Sequence, residues 1–346
     1  MNIVRLLLIV STAVLLSACG GGGGGGSVSA AAQSTVIDNF NMTEGTADDK
    51  LGATYLQEFL TEKNASGTTV SDLYSRIDLS GLESAHSSGW TGKGETITVL
   101  DNEFSLESDH GRLVSDIARV VSPGASRNEY SLSTTLDNSA MKLATIASDV
   151  ITISVGYTPA QMDGDPGLAA KVDSLVSSME GADAVVTVAA QHSNWTNGVK
   201  DGVSGRGGFS SCPDAGTMTV ANCNGWAIDG LDSSNVIYVG EINSSNEIPA
   251  WSNQAGSAHK NQFLVTSADK ITTASDGEPD GNSFAAPRVA GASALVRHKF
   301  PNLTAAQTAT VILHTADDLG EAGIDDVYGH GELNVGSALA PIGNLH

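Results

Sequence analysis

The chain has 346 residues, 40% of them hydrophobic, which is enough for one sizeable α/β core plus a small extension. Seventeen Lys and Arg against 39 Asp and Glu give a formal net charge of −22. Such acidity argues against nucleic acid and against anionic lipid headgroups as partners, favours solubility, and says nothing of fold.

Residues 1–19 read as an export signal: Arg5, a largely apolar run over 6–16, then Leu16-Ser17-Ala18-Cys19. The run is too short for a permanent membrane span, and no other segment is long and apolar enough for one. Leu-Ser-Ala-Cys resembles the lipobox of bacterial lipoproteins, which implies cleavage before Cys19 and lipidation of its thiol. A simple secretory signal with a chance cysteine is the alternative. Glycine is unbroken over 20–26, so residues 20–35 are expected to be a flexible tether. Gly20, where some lipoproteins carry aspartate, implies sorting to the outer membrane, on its periplasmic or outer face. The lipid anchor is then the only expected membrane contact. Residues 36–85 form an N-terminal extension or a short prosegment, and no cleavage signal decides between them. Within it, Leu51, Tyr55, Leu56, Phe59 and Leu60 have helical spacing.

After the turn Trp90-Thr91-Gly92-Lys93-Gly94, the residues Thr96-Ile97-Thr98-Val99-Leu100-Asp101 predict a strand ending in a carboxylate. Open parallel sheets place functional groups at such strand ends. Asp109-His110-Gly111-Arg112-Leu113-Val114 then opens a helix with an apolar face of Leu113, Val114, Ile117, Ala118 and Val121. Val121-Ser122-Pro123-Gly124-Ala125 breaks it. Residues 149–156 predict a buried strand, 168–179 a helix and 184–190 another strand, an order that implies parallel pairing by a right-handed crossover. Residues 195–235 are loop-rich and hold Cys212 and Cys223. In an exported protein with Cys19 lipidated, these two most simply form a disulfide, with metal binding or two free buried thiols as alternatives. Strands follow at 236–240 and 263–271, and Thr304-x-x-Gln307 is a capping box opening a helix to Ala316.

Gly281-Asn282-Ser283-Phe284-Ala285-Ala286-Pro287-Arg288-Val289-Ala290-Gly291 opens an apolar run through Val296, the pattern of a helix buried on all sides. Ser283 is expected to cap this helix, with Pro287 in its first turn. A serine so placed sits at the positive end of a helix dipole with its own N–H free, which suits a nucleophile whose substrate oxygen becomes negative. The bland alternative is an ordinary capping serine.

This stretch resembles the nucleophile motif of subtilases, the subtilisin-like serine proteases: Gly-Thr-Ser-Met-Ala-Ala-Pro-His-Val-Ala-Gly. Asn282, Phe284 and Arg288 depart from it. The approach to Asp101 resembles the family's Thr-Gly-x-Gly entry and aspartate-ending strand. His110 resembles the family's histidine in His-Gly-Thr-His-Val-Ala-Gly, with Arg112, Leu113 and Asp116 departing and a shorter loop from Asp101. Trp251-Ser252-Asn253 and residues 328–334 also resemble family segments, so the resemblance covers roughly residues 80–340, in the family's order.

The resemblance implies a subtilisin-like three-layer α/β fold over 86–342, a mostly parallel central sheet with helices on both faces. It implies a serine endopeptidase acting on polypeptide, expected as a monomer, through Asp101, His110 and Ser283 and an acyl-enzyme. Ser154, Val155 and Gly156 would form a wall of the substrate pocket. The family's oxyanion asparagine falls in an altered segment: His192 takes the aligned place, Asn194 has the right side chain two residues on, and Gln191 is a third candidate. No organic cofactor is implied and no metal ligand set is expected. Calcium is common in the family, but Asp163-Gly164-Asp165 and the acidic stretch 276–280 carry no recognisable ligand pattern. The alternative function is a catalytically weak or inactive subtilase-fold binding or structural lipoprotein, to which the motif departures point.

Overall fold

Six described strands build the sheet, all but the second short runs rich in apolar and β-branched residues: β1 (Thr96–Asp101), β2 (Ser126–Ser131), β3 (Val150–Ile153), β4 (Val185–Ala189), β5 (Val236–Ile242) and β6 (Phe263–Ser267). The structure is a computed structural model and describes residues 37, 40–101, 104–106, 109–132, 147–154, 166–190, 233–249, 252–268 and 281–341. Helices α1 (Gly52–Glu62), α2 (Val70–Ile77) and α3 (Leu82–Ser87) precede the sheet. Helix α4 (His110–Val121) follows β1, α5 (Pro166–Glu180) lies between β3 and β4, and α6 (Gly256–His259) precedes β6. Helices α7 (Asn282–Lys299), α8 (Ala305–His314) and α9 (Val335–Leu339) come after it.

Every neighbouring pair is parallel, in the order β2-β1-β3-β4-β5-β6. The chain winds one way from β1 to β2 and the other way from β3 onward. The carboxyl ends of β1 and β3 therefore flank the switch point at which open α/β sheets bind ligands. Leu100 pairs with Ile153, so Asp101 and Ser154 leave the sheet at the same level.

Alternation along the strands fills both faces. Ile97, Val99, Val150, Val185, Ile237, Val239 and Leu264 pack with α4 and α7. Leu100, Ile151, Ile153, Val186, Val188, Tyr238 and Val265 pack on the other side, with Leu175 and Met179 of α5. The expected three-layer α/β fold is thus the one observed. Helix α7 is buried nearly all round. Its close approach to α4 needs Gly291, where a Cβ would stand 2.5 Å from that of Val121.

Three local features differ from the sequence expectation. Strand β2 went unforeseen because its Ser-Arg-Asn-Glu-Tyr-Ser is polar, as befits an edge strand with half-buried side chains. The last strand stops at Ser267, short of the expected 271. Helix α7 begins at Asn282 with Gly281 as its N-cap, so Ser283 is not the cap, and Pro287 lies inside the helix. The cause is Gly281, whose φ of 132° only glycine adopts freely, and which turns the chain one residue early.

The N-terminal helices share the core of α4 and α7: Leu56, Phe59, Leu60, Leu73, Ile77 and Leu82 are all buried in it. Polar contacts hold the segment as well. Buried Asp48 accepts hydrogen bonds from Tyr55 Oη (2.8 Å), Thr91 Oγ1 (3.1 Å) and the Lys50 amide (3.1 Å), and pairs with Lys93 at 2.9 Å. Burial alone would raise its carboxyl; these bonds outweigh it and hold the group at about 2. At the far end of the segment, His86 Nε2 donates to the Val121 carbonyl at 2.9 Å, so its Nδ1 accepts from Tyr74 Oη, also at 2.9 Å.

Burial pushes the His86 imidazole down to about 4, against the opposing pull of that Val121 bond. Burial, helped by neighbouring His314, does the same to His330. The unfolded chain binds these protons near 6.5. Stability from the two groups is therefore present above that value and is lost as pH falls from about 6.5 toward 4. Thermal melts should show a steady Tm near pH 7 to 8 and a fall across that window. An imidazole of His86 that titrates near 6.5 by NMR in the folded protein would contradict this.

Candidate active site

Asp101 closes β1 and is fully buried, its backbone carbonyl accepting from the Leu132 amide at 2.6 Å. Nine residues later His110 opens α4 and turns its ring back to the strand end. Its Nδ1 stands 2.8 and 2.9 Å from the two Asp101 carboxylate oxygens. A carboxylate can only accept here, so Nδ1 carries a proton, and in the neutral ring Nε2 is the nitrogen left to accept. The imidazole is about one-third exposed while Asp101 is sealed beneath it. That is the arrangement a general base needs: an oriented, partly exposed ring with its second nitrogen turned from the carboxylate.

Ser283 reaches the same place from α7. Phe284, next in the chain, sets its ring 5.2 Å from that of His110, tilted by 48°. The Ser283 hydroxyl donates to the Ser154 carbonyl at 3.1 Å, and the Ser154 hydroxyl donates to the Ser283 carbonyl at 2.8 Å. In this conformation the Ser283 proton is therefore turned to β3 and not to His110. Ser283 is the second residue of α7, where a backbone N–H has no partner within the helix. The structure thus joins Asp101 to His110 directly and Ser283 to Ser154, with Phe284 bridging the two pairs.

The residues that depart from the expected motif hold the site's frame. Asn282 Oδ1 accepts from the Glu241 amide and from Ser252 Oγ, both at 2.8 Å, which ties the turn before Ser283 to β5. Arg288 is fully buried and donates to the Phe284 carbonyl at 3.2 Å. Arg112 donates to Glu129 on β2 (2.9 Å) and to the Phe104 carbonyl (2.8 Å), and Ser115 shares the same Glu129 oxygen. Arg112 so pins the short loop between Asp101 and His110. Asp116 pairs with Lys63 beyond α1 at 2.7 Å. Sequence reasoning missed these supporting roles; for Asn282 and Arg288 the available signal was a polar or charged residue in an otherwise apolar run, and for Arg112 and Asp116, on an amphipathic helix, there was none.

Val155, Gly156, Gln191, His192, Asn194, Cys19, Cys212 and Cys223 lie outside the described residues, as do the aspartate-bearing stretches 163–165 and 276–280. Among the described residues no three His, Cys, Asp or Glu side chains converge as a metal site. No described helix is long and apolar enough to cross a membrane.

Residues 96–331 match the subtilase family. A stretch of 63 residues is 44% identical to an extracellular serine protease of Serratia marcescens, covering 18% of this chain and 6% of that one. Another of 59 residues is 41% identical to the Neisserial autotransporter lipoprotein NalP of Neisseria meningitidis serogroup B, covering 17% and 6%. The matched stretch is thus a small fraction of each relative's length. Among solved structures, a lanthipeptide protease superposes with a TM-score of 0.55 at 16% identity, over 80% of this chain and 97% of the other. That likeness is one of fold.

Proposed function

Because this chain belongs to the subtilase family of serine proteases, we propose that it is an endopeptidase that cuts polypeptides through Asp101, His110 and Ser283. The observation that carries this reading is the His110 imidazole held through Nδ1 on a fully buried carboxylate, at the sheet's switch point and beside the first turn of α7.

In the proposed cycle the Ser283 hydroxyl swings from the Ser154 carbonyl to His110 Nε2, which takes its proton as Oγ attacks the peptide carbonyl. Asp101 keeps the proton on Nδ1 and stabilises the imidazolium. The Ser283 N–H, at the positive end of α7, donates to the new oxyanion. A second donor comes from the segment after β4, where Asn194 and His192 are the leading candidates and Gln191 the third. His110 then protonates the departing amine, and the acyl-enzyme is released by water. The reaction as written uses no cofactor, and one copy of the chain holds all three groups.

Export fits the extracellular and autotransporter relatives. We further propose lipidation of Cys19, a tether over 20–35, outer-membrane anchoring and a Cys212–Cys223 bridge. The burial of α1 to α3 in the main core supports retention of residues 36–85 in the working enzyme. The inactive-lipoprotein alternative drew on motif departures, and the contacts of Arg112, Asn282 and Arg288 give those departures structural work that does not require loss of chemistry.

A fluorophosphonate probe tests the proposal without a known substrate, since it needs only an activated serine. Mass spectrometry of the labelled protein should place the adduct on the peptide holding Ser283. No adduct, or an adduct on another serine, would overturn the assignment.

A further inference from the structure

In a regular α-helix the carbonyl of residue 283 accepts from the N–H of residue 287. Residue 287 is Pro287, which lies inside α7 and has no N–H to give. The Ser283 carbonyl would then be an orphan acceptor in a buried turn. Ser154 fills the vacancy: its hydroxyl, on a residue only 2% exposed just past the end of β3, donates to that carbonyl at 2.8 Å. The Ser283 hydroxyl in turn rests on the Ser154 carbonyl at 3.1 Å. The two residues exchange a pair of hydroxyl-to-carbonyl bonds across the gap between sheet and helix.

We infer that Ser154 is a positioning residue for the nucleophile, its hydroxyl replacing the helical donor that Pro287 lacks. This inference rests on Ser283 being the nucleophile. It goes beyond a place for Ser154 in the wall of a substrate pocket. The bond fixes the backbone of Ser283 against β3, the strand next to the one that carries Asp101. Because β1 and β3 are in register at this level, the same bond sets the height of Ser283 relative to Asp101 and His110. It also sets the direction of the Ser283 N–H that would face the oxyanion. A regular helix would have drawn the Ser283 carbonyl inward to residue 287; the proline leaves it free to reach the sheet.

The test is a double-mutant cycle of Ser154→Ala and Pro287→Ala, read by the rate of fluorophosphonate labelling and by kcat and KM on a fluorogenic peptide. Rates are expressed per site titrated at the labelling end point, so that a lower folded yield does not enter them. Ser154→Ala should slow labelling and lower kcat by roughly ten- to a hundredfold with KM little changed, the cost of a nucleophile misplaced by a fraction of an ångström to an ångström. With Pro287→Ala as the reference, the same Ser154→Ala change should cost less than about threefold, because an alanine in place of the proline restores the N–H and takes over the carbonyl. A residue that merely packs would lower Tm, leave kcat per site alone and show no dependence on residue 287. The inference is overturned if Ser154→Ala labels and turns over at the wild-type rate per site, or if its loss is the same in both backgrounds. A wild-type protein that takes up no probe would sink the reading of Ser283 itself, a different and separately visible failure.

Discussion

Replacing Ser283 with alanine should lower kcat on peptide substrates by about 10⁶-fold while leaving the fold intact. The size follows from the proposed chemistry, in which the hydroxyl oxygen is the atom that forms the acyl bond. Residual turnover on the order of 10³–10⁴ above the uncatalysed reaction should remain from oxyanion donors and substrate binding. Stability should change by about 1 kcal/mol or less, because the hydroxyl makes one neutral hydrogen bond, to the Ser154 carbonyl. Active-site titration and steady-state kinetics on the purified variant, with a thermal melt alongside, check all three points. Hydrolysis that persists at the wild-type rate would rule out Ser283 as the nucleophile, whatever the fold.

Asp101→Asn should cost about 10⁴-fold in kcat at neutral pH. The carboxylate accepts from His110 Nδ1 through both oxygens. An amide in its place presents an NH₂ to the ring, and Nδ1 must then accept. The proton moves to Nε2, where the base is needed, and the imidazole can no longer take the serine's proton. Ser283 would still be present and His110 still seated, so the defect is one of tautomer and charge. The protonated ring nitrogen can be read directly by nitrogen NMR of His110. A loss of less than about tenfold in kcat would mean that Asp101 does not hold the tautomer in the way its geometry implies.

How much of this was legible in the sequence follows from what each residue has to do. Asp101, His110 and Ser283 stood out because the segments around them resemble the subtilase motifs in the family's order; each alone, at a strand end, a helix start or the opening of a buried helix, is an ordinary residue. Parallel pairing was legible from the order of apolar strands and helices, and the three-layer arrangement from the family resemblance. The start of α7 was not, because it depends on the backbone of Gly281 and on contacts of Asn282 with Glu241 and Ser252, residues far back in the chain. Ser283 looked like a cap because serine usually is one. Arg112 and Asp116 looked like a decayed motif because their partners, Glu129 and Lys63, come from a polar edge strand and from the N-terminal segment. Neither the strand nor α2 and α3 announced itself by periodicity.

The meeting of residues 45–46 with the end of α7 carries a consequence for timing. The His298 ring, near the end of α7, takes its Nε2 to the Thr46 carbonyl across 252 residues of sequence, and the Gly45 amide bonds the Lys299 carbonyl beside it. A polypeptide made amino end first offers residues 45–46 long before the end of α7, which they bond, has been made. Such distant contacts form late and slowly. Ser283 rides on that same late helix. The proposed catalytic groups would therefore come together only after residues 282–299 have been made and delivered, and a chain stalled before them would lack Ser283.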